Sequence, residues 1–245
     1  MSLVSTTAFI LRLDVISEKD LVAAVLTKDH GVVRGAVKGA RGRTRRGASL
    51  QTLSEVALTY FRKEGAELAR LDSIELVKSS FDLASRSETA MLLPYVAESI
   101  LTFVPESELG GDVYRLTRHL LDALEAGVDA TLATRYFEVW LLRFGGLFPD
   151  DRACASCGAP LGPDARLDPE IPGFLGSECA GPRTLAVSPR ARALLAAIRR
   201  SPLAALRAAP ADRAALEALD HVAREIRRRF LGHELKSYPF LNVLG

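Results

Sequence analysis

Near Ser79 the hydrophobic period of the chain changes from two to about 3.6, so strands are expected before that point and helices after it. In the first part, polar and apolar residues alternate in short runs separated by turn residues. Phe9, Leu11, Leu13 and Val15 share one face of the first run, with Arg12 and Asp14 on the other, and a polar turn follows at residues 17–20. Further runs cover residues 21–27, 32–38, 53–62 and 67–77, with Lys28-Asp29-His30-Gly31 and Lys63-Glu64-Gly65 as turns. Five strands in so short a stretch suit a small closed barrel of the OB type, and an open SH3-like barrel shares the pattern.

The helical part has its own punctuation. A helix over residues 87–104 carries Pro94, which starts or kinks it. Asp112 reads as an N-cap, with Val113, Leu116, Leu120 and Leu124 on one face until Gly127. Leu132, Tyr136, Val139 and Trp140 continue in a second helix that ends at Gly145-Gly146. Ser188-Pro189 opens another, and the last long helix places Leu216, Leu219, Ala223, Ile226 and Phe230 on one face. Between these groups lies a Pro/Gly-rich insertion with all 3 cysteines. The expectation is an α+β chain: an OB-type barrel at 1–80, a helical domain at 81–150 and 186–245, and a zinc-ribbon-like insertion at 151–185.

With 48% hydrophobic residues the chain can bury substantial cores. No apolar stretch reaches the length that spans a bilayer, and the cysteines are too few for a disulfide framework, so a cytoplasmic protein is expected. Net charge is only +2, and the informative feature is where the cations lie. Arg34, Lys38, Arg41, Arg43, Arg45 and Arg46 follow one another with glycines between them and no acid. Glycine lets the backbone approach a ligand, and guanidinium groups match phosphate with paired donors, so a stretch like this beside a barrel points to a nucleic-acid backbone. The plain alternative is a solvated loop. Phe9, Tyr60 and Phe61 are either stacking platforms for bases or barrel core. Arg224, Arg227 and Arg228 in the last helix are either a second DNA contact or a solvated face. The tripeptide that completes a nucleotide-hydrolysing phosphate loop is missing, as are hydrolase, zinc-protease and deaminase motifs, so no enzyme is expected.

Cys154-Ala-Ser-Cys157-Gly158 is the sharpest local signal. Two thiolates spaced this way can hold one tetrahedral ion from a tight turn, and Cys179 stands where the second half of a zinc ribbon would begin. Its partner is missing, because Pro182 occupies the position three residues on. Asp164, Asp168 and Glu178 are candidates for a fourth ligand. Three readings remain open: zinc with an irregular fourth ligand, a ribbon that has lost its metal, and a redox pair.

Three segments together resemble the RecO family of bacterial recombination mediators. These are Gly31-Val-Val-Arg-Gly-Ala-Val-Lys-Gly-Ala-Arg41, then Tyr136-Phe-Glu-Val-Trp-Leu-Leu-Arg-Phe-Gly-Gly-Leu-Phe-Pro149 followed by Cys154-x-x-Cys157-Gly, and finally Leu235-Lys236-Ser237 with Phe240-Leu241. The resemblance implies an OB barrel, a helical domain and a zinc-binding insertion. It also implies binding of single- and double-stranded DNA, strand annealing, and partnership with RecR. Contact with the C-terminal tail of single-strand-binding protein and promotion of RecA loading complete what it implies. Pro182 departs from the family pattern, which often places a fourth cysteine there. An RNA-binding or transcription accessory protein built from an OB barrel and a zinc ribbon is the main alternative, and a zinc hydrolase using Cys154, Cys157 and Cys179 is the second.

Overall fold

Strands β1 (Ser2–Val15), β2 (Leu21–Thr27), β3 (Gly31–Val37), β4 (Glu55–Arg62) and β5 (Ala69–Lys78) close into a barrel of order β1-β2-β3-β5-β4. The computed structural model describes residues 2–18, 20–37, 51–62, 68–104, 110–168, 170, 172–207 and 212–241. β1 is long enough to serve two neighbours, pairing with β4 from Ser2 to Phe9 and with β2 from Ala8 to Val15. β3 and β5 close the barrel in parallel, Gly35 facing Ala69 and Val37 facing Leu71. That shared first strand and five-stranded closure make it an OB-type barrel. Gly35 permits the closure, since a Cβ there would lie 2.5 Å from Leu71 Cδ2.

The core of the barrel is small and branched: Ala8, Ile10, Ala23, Val25, Val33, Val56, Leu58, Tyr60 and Leu71. Simple alternation placed Phe9, Leu11, Leu13 and Val15 on one face, and β1 corrects that reading. A register shift between Ile10 and Arg12 switches the parity, so Ala8, Ile10 and Leu13 serve the core. Phe9 packs instead against the ring of Tyr114, at 4.8 Å between centroids, and Val15 is 62% exposed.

The chain divides into two compact units, Met1–Arg118 with Leu235–Gly245, and His119–Glu234. In the first, the barrel is followed by α1 (Phe81–Ala84), α2 (Ser87–Ala90), α3 (Leu92–Phe103) and the start of α4 (Gly110–Glu125), with α9 (Tyr238–Leu241) at its end. Pro94 falls in the first turn of α3, where the backbone N–H has no intrahelical partner in any case, so the helix expected from Ser87 is a separate turn plus α3. Asp112 lies inside the first turn of α4 and is not its N-cap; it pairs with Arg115. Glu55, 3% exposed, accepts from the Tyr114 hydroxyl at 2.5 Å and from Arg118, which ties α4 to the barrel. Glu98 on α3 accepts from the N–H groups of Lys236 (3.0 Å) and Ser237 (2.8 Å) and from the Ser237 hydroxyl, holding the last segment.

The second unit contains α5 (Ala130–Phe144), α6 (Pro189–Arg200), α7 (Leu203–Leu206) and α8 (Arg213–Leu231). Asp129, Ser188 and Asp212 cap α5, α6 and α8, and Gly232 ends α8 with φ +73. Between α5 and α6 lie β6 (Ala165–Leu167), β7 (Phe174–Gly176) and β8 (Leu185–Val187), an antiparallel sheet of order β7-β6-β8. The buried stripe of α8 holds Leu216, Leu219, Ala223 and Ile226 as expected, then closes with Arg227, while Phe230 is 57% exposed. Arg227 continues the stripe four residues after Ala223 because Glu138 of α5 meets it there, at 2.5 Å.

Candidate functional site

Two places carry chemistry: the outer face of the β3–β5 seam, and the turn that precedes the small sheet. On β3 the inward residues are Val33, Gly35 and Val37, which leaves Arg34 exposed on the outer face. On β5, Ala69 and Leu71 are buried and Arg70 is exposed between them, in register with Ala36. Paired residues of a parallel ladder share a face, so Arg34 and Arg70 stand on the same side of neighbouring strands. Arg70 escaped the sequence reading, although the alternation of Ala69-Arg70-Leu71-Asp72 carries the signal. Asp72, also exposed, is two residues further along that face. Lys38, Arg41, Arg43, Arg45 and Arg46 lie outside the described residues. Phe9 and Tyr60 belong to packing and not to a stacking surface, and Phe61 is half-buried.

The three C-terminal arginines separate. Arg228 is exposed, in the last turn of α8. Arg224 is partly exposed and bonds Glu234 at 2.6 Å. Arg227, expected at a DNA or partner surface, is 1% exposed and corrects that expectation. Its guanidinium belongs to a buried cluster in which Glu138 bonds Arg227 and Arg135 (2.7 Å), and Arg135 also bonds Asp220. Two guanidiniums against two carboxylates leave the interior neutral, the condition under which such charges tolerate burial.

The cysteine turn is built from backbone bonds. Cys154 N–H donates to Ala159 O (2.8 Å), Gly158 N–H to Cys154 O (2.9 Å), and Gly158 takes φ +74. Ala155 N–H donates to Phe174 O at 2.8 Å, and Gly173 makes room for Ala155, whose Cβ would lie 2.2 Å from a Cβ at that glycine. The preceding segment is held by Asp151, which accepts from Arg143 (2.9 Å) and Arg199 (2.8 Å). These bonds bring the Sγ atoms of Cys154, Cys157 and Cys179 within 4.8 Å of one another. Cys154 is buried, Cys179 half-buried and Cys157 exposed. The N–H groups of Gly176, Cys157 and Ser156 hold the Cys154 thiol down at about 6. Cys179, beside the sulfurs of Cys157 and Cys154, is pushed up to about 11. Three sulfurs this close together, with the Cys154 thiolate favoured by amide donors, are a donor set that fits a thiophilic ion. Asp164, Asp168 and Glu178 do not join the group. Among the described residues no helix is long and apolar enough to cross a membrane.

Comparison with known proteins accounts for both halves of the chain. Residues 1–80 match the family model described as Recombination protein O N terminal, and residues 84–239 the one described as Recombination protein O C terminal. The chain is 30% identical over 241 residues to the DNA repair protein RecO of Koribacter versatilis, covering 97% of each chain. It is 33% identical over 253 residues to the DNA repair protein RecO of Anaeromyxobacter sp. (strain K), covering 100% of this chain and 98% of the relative. An OB-type barrel, a helical unit and a cysteine cluster, matched at both ends by these family models, place the chain in the recombination protein O family, a family of DNA repair proteins.

Proposed function

We propose that this chain is a DNA-binding mediator without a catalytic centre: it binds single- and double-stranded DNA, anneals complementary strands and, with RecR, promotes RecA loading onto strands coated by single-strand-binding protein. The observation that carries the reading is the OB-type barrel with Arg34 and Arg70 exposed on one outer face, in a chain whose next segment after β3 contains Lys38, Arg41, Arg43, Arg45 and Arg46. Guanidinium and ammonium groups facing phosphate read charge and spacing and not base edges. Two complementary strands repel through their phosphates, and a surface that neutralises both holds them together at high local concentration without nucleotide hydrolysis. Residues 1–80 supply this surface. Arg224 and Arg228 are assigned to a second contact, with DNA or with the acidic tail of single-strand-binding protein. The cysteine turn at 151–185 takes a structural zinc through Cys154, Cys157 and Cys179, and the ion's role there is to crosslink the turn to the small sheet.

The test pairs strand annealing without ATP, on bare and on protein-coated strands, with fluorescence anisotropy over a salt series. Replacing Arg41, Arg43 and Arg45 by Ala is expected to weaken binding across unrelated sequences and slow annealing in parallel. Every phosphate that the variant no longer neutralises should flatten the log–log salt slope by about 0.7 for single strands and about 0.9 for duplex. An unchanged slope in a folded triple variant would remove this stretch from the interface.

A further inference from the structure

The cysteine cluster has three thiols where a closed structural site has four ligands. Among the described residues, no His, Asp or Glu joins Cys154, Cys157 and Cys179. In the unit that contains them, the residues that are not among those described are Pro169, Ile171, Ala208, Ala209, Pro210 and Ala211, whose side chains carry no ligand atom. The position that repeats the Cys-x-x-Cys spacing after Cys179 is Pro182, which has neither a side-chain donor nor an N–H. The cluster also has a wet side. Cys154 is buried under β7, with the Gly176 N–H 3.5 Å from its sulfur, while Cys157, Gly181 and Pro182 are exposed.

We infer that this is an open metal site: three thiolates of this chain hold a thiophilic divalent ion, and its fourth ligand is an exchangeable small donor from solution. The inference rests on the metal reading above and departs from it in coordination. Tetrahedral ions in structural sites are fully enclosed by protein ligands, whereas three protein ligands with a free corner are the arrangement that admits an outside molecule. The occupant is water in the absence of a better donor, replaced by a neutral nitrogen base such as imidazole. The exchange is a simple substitution: one lone pair leaves the ion, another takes its place, and no bond within either ligand changes. The buried Cys154 and half-buried Cys179 keep the ion attached to the fold while the corner beside Cys157 faces solvent.

The experiment uses the full chain, reduced and metal-free, titrated with Co2+ and then with imidazole while the visible spectrum is recorded. The expected result is a thiolate-to-cobalt charge-transfer band, and ligand-field bands that shift saturably as imidazole is added. In Pro182→Cys, a fourth thiolate closes the site: the charge-transfer absorbance rises by about one third and the imidazole response disappears. Cobalt binding with ligand-field bands indifferent to imidazole in the unaltered chain would overturn the open corner and leave the metal reading standing. Failure to bind cobalt at all would overturn both. A Pro182→Cys variant that gains the stronger band and still responds to imidazole would show that the response arises elsewhere, and would overturn the inference as well. If that variant does not gain the band, the titration of the unaltered chain decides alone.

Discussion

Arg227 and Arg228 are neighbours in sequence with opposite surroundings, and the difference is measurable. Arg227 is 1% exposed and bonded to Glu138, so Arg227→Ala leaves two carboxylates against the single guanidinium of Arg135 in the interior and is expected to cost about 3–5 kcal/mol in denaturant unfolding. Arg228 is exposed in the last helical turn, and Arg228→Ala should alter stability by no more than about 0.5 kcal/mol. If Arg228 meets DNA, the same variant flattens the duplex salt slope by about 0.9. A stable Arg227→Ala protein would mean that the buried cluster is dispensable. Helical period puts Arg227 at the edge of the apolar stripe, four residues after Ala223, and Arg228 on the far side, but period alone does not bury a guanidinium. The partner on α5, 89 residues away in sequence, makes the choice.

At the scale of the element, α4 is placed by a glycine and the C-terminal segment by a carboxylate. A Cβ on Gly110 would lie 2.2 Å from the backbone nitrogen of Gly31 and 2.5 Å from its Cα, and neither atom can swing aside. Gly110→Ala replaces a poor helix former and should nevertheless lower the melting temperature, because α4 can no longer approach the β2–β3 turn. A higher melting temperature would show that the contact yields easily. For Glu98, burial pushes the carboxyl up, but the Ser237 hydroxyl, the N–H groups of Ser237 and Lys236 and the Lys236 charge together outweigh it and leave the group below the ordinary 4.5. A depressed carboxylate stabilises fully above its unfolded value and loses that contribution as pH falls through its folded one. Amide exchange at Lys236 and Ser237 should therefore quicken as pH drops from near 4.5 towards the lower folded value, after correction for intrinsic exchange. Glu98→Gln should show the faster exchange already at neutral pH, and equal protection in both proteins would contradict the assignment.

For the whole molecule, the barrel surface proposed for DNA and the cysteine cluster fall in different units. The exposed arginines of the β3–β5 face belong to the unit with the barrel, and the three cysteines to the other. On the proposed reading, stripping metal with a chelator lowers the unfolding temperature of the second unit and leaves single-strand affinity within about twofold, since the main phosphate surface is assigned to the barrel. Calorimetry and anisotropy on the same sample check this. A parallel fall in DNA affinity in still-folded protein would place the cysteine turn in the interface.

Local pattern is enough to separate the strand-forming part of the chain from the helical part and the cysteine-bearing insertion. Alternation, caps and turn glycines are local, and they locate the five barrel strands, the helix that ends at Gly145-Gly146 and the start at Ser188-Pro189, with small shifts at their ends. It also identified the three cysteines as one group and the cation-rich stretch after β3. What depends on partners remote in the chain is legible only in the folded molecule. The parity switch in β1 follows from its two strand neighbours, the burial of Arg227 from Glu138, and the company of Arg34 and Arg70 from the parallel closure of β3 on β5. Whether an acid completes the cysteine cluster was open from spacing alone, because a loop can bring Asp164, Asp168 or Glu178 anywhere within its reach. The fold places all three outside the group, with Asp168 turned instead to the Glu170 N–H, 2.8 Å from its Oδ1.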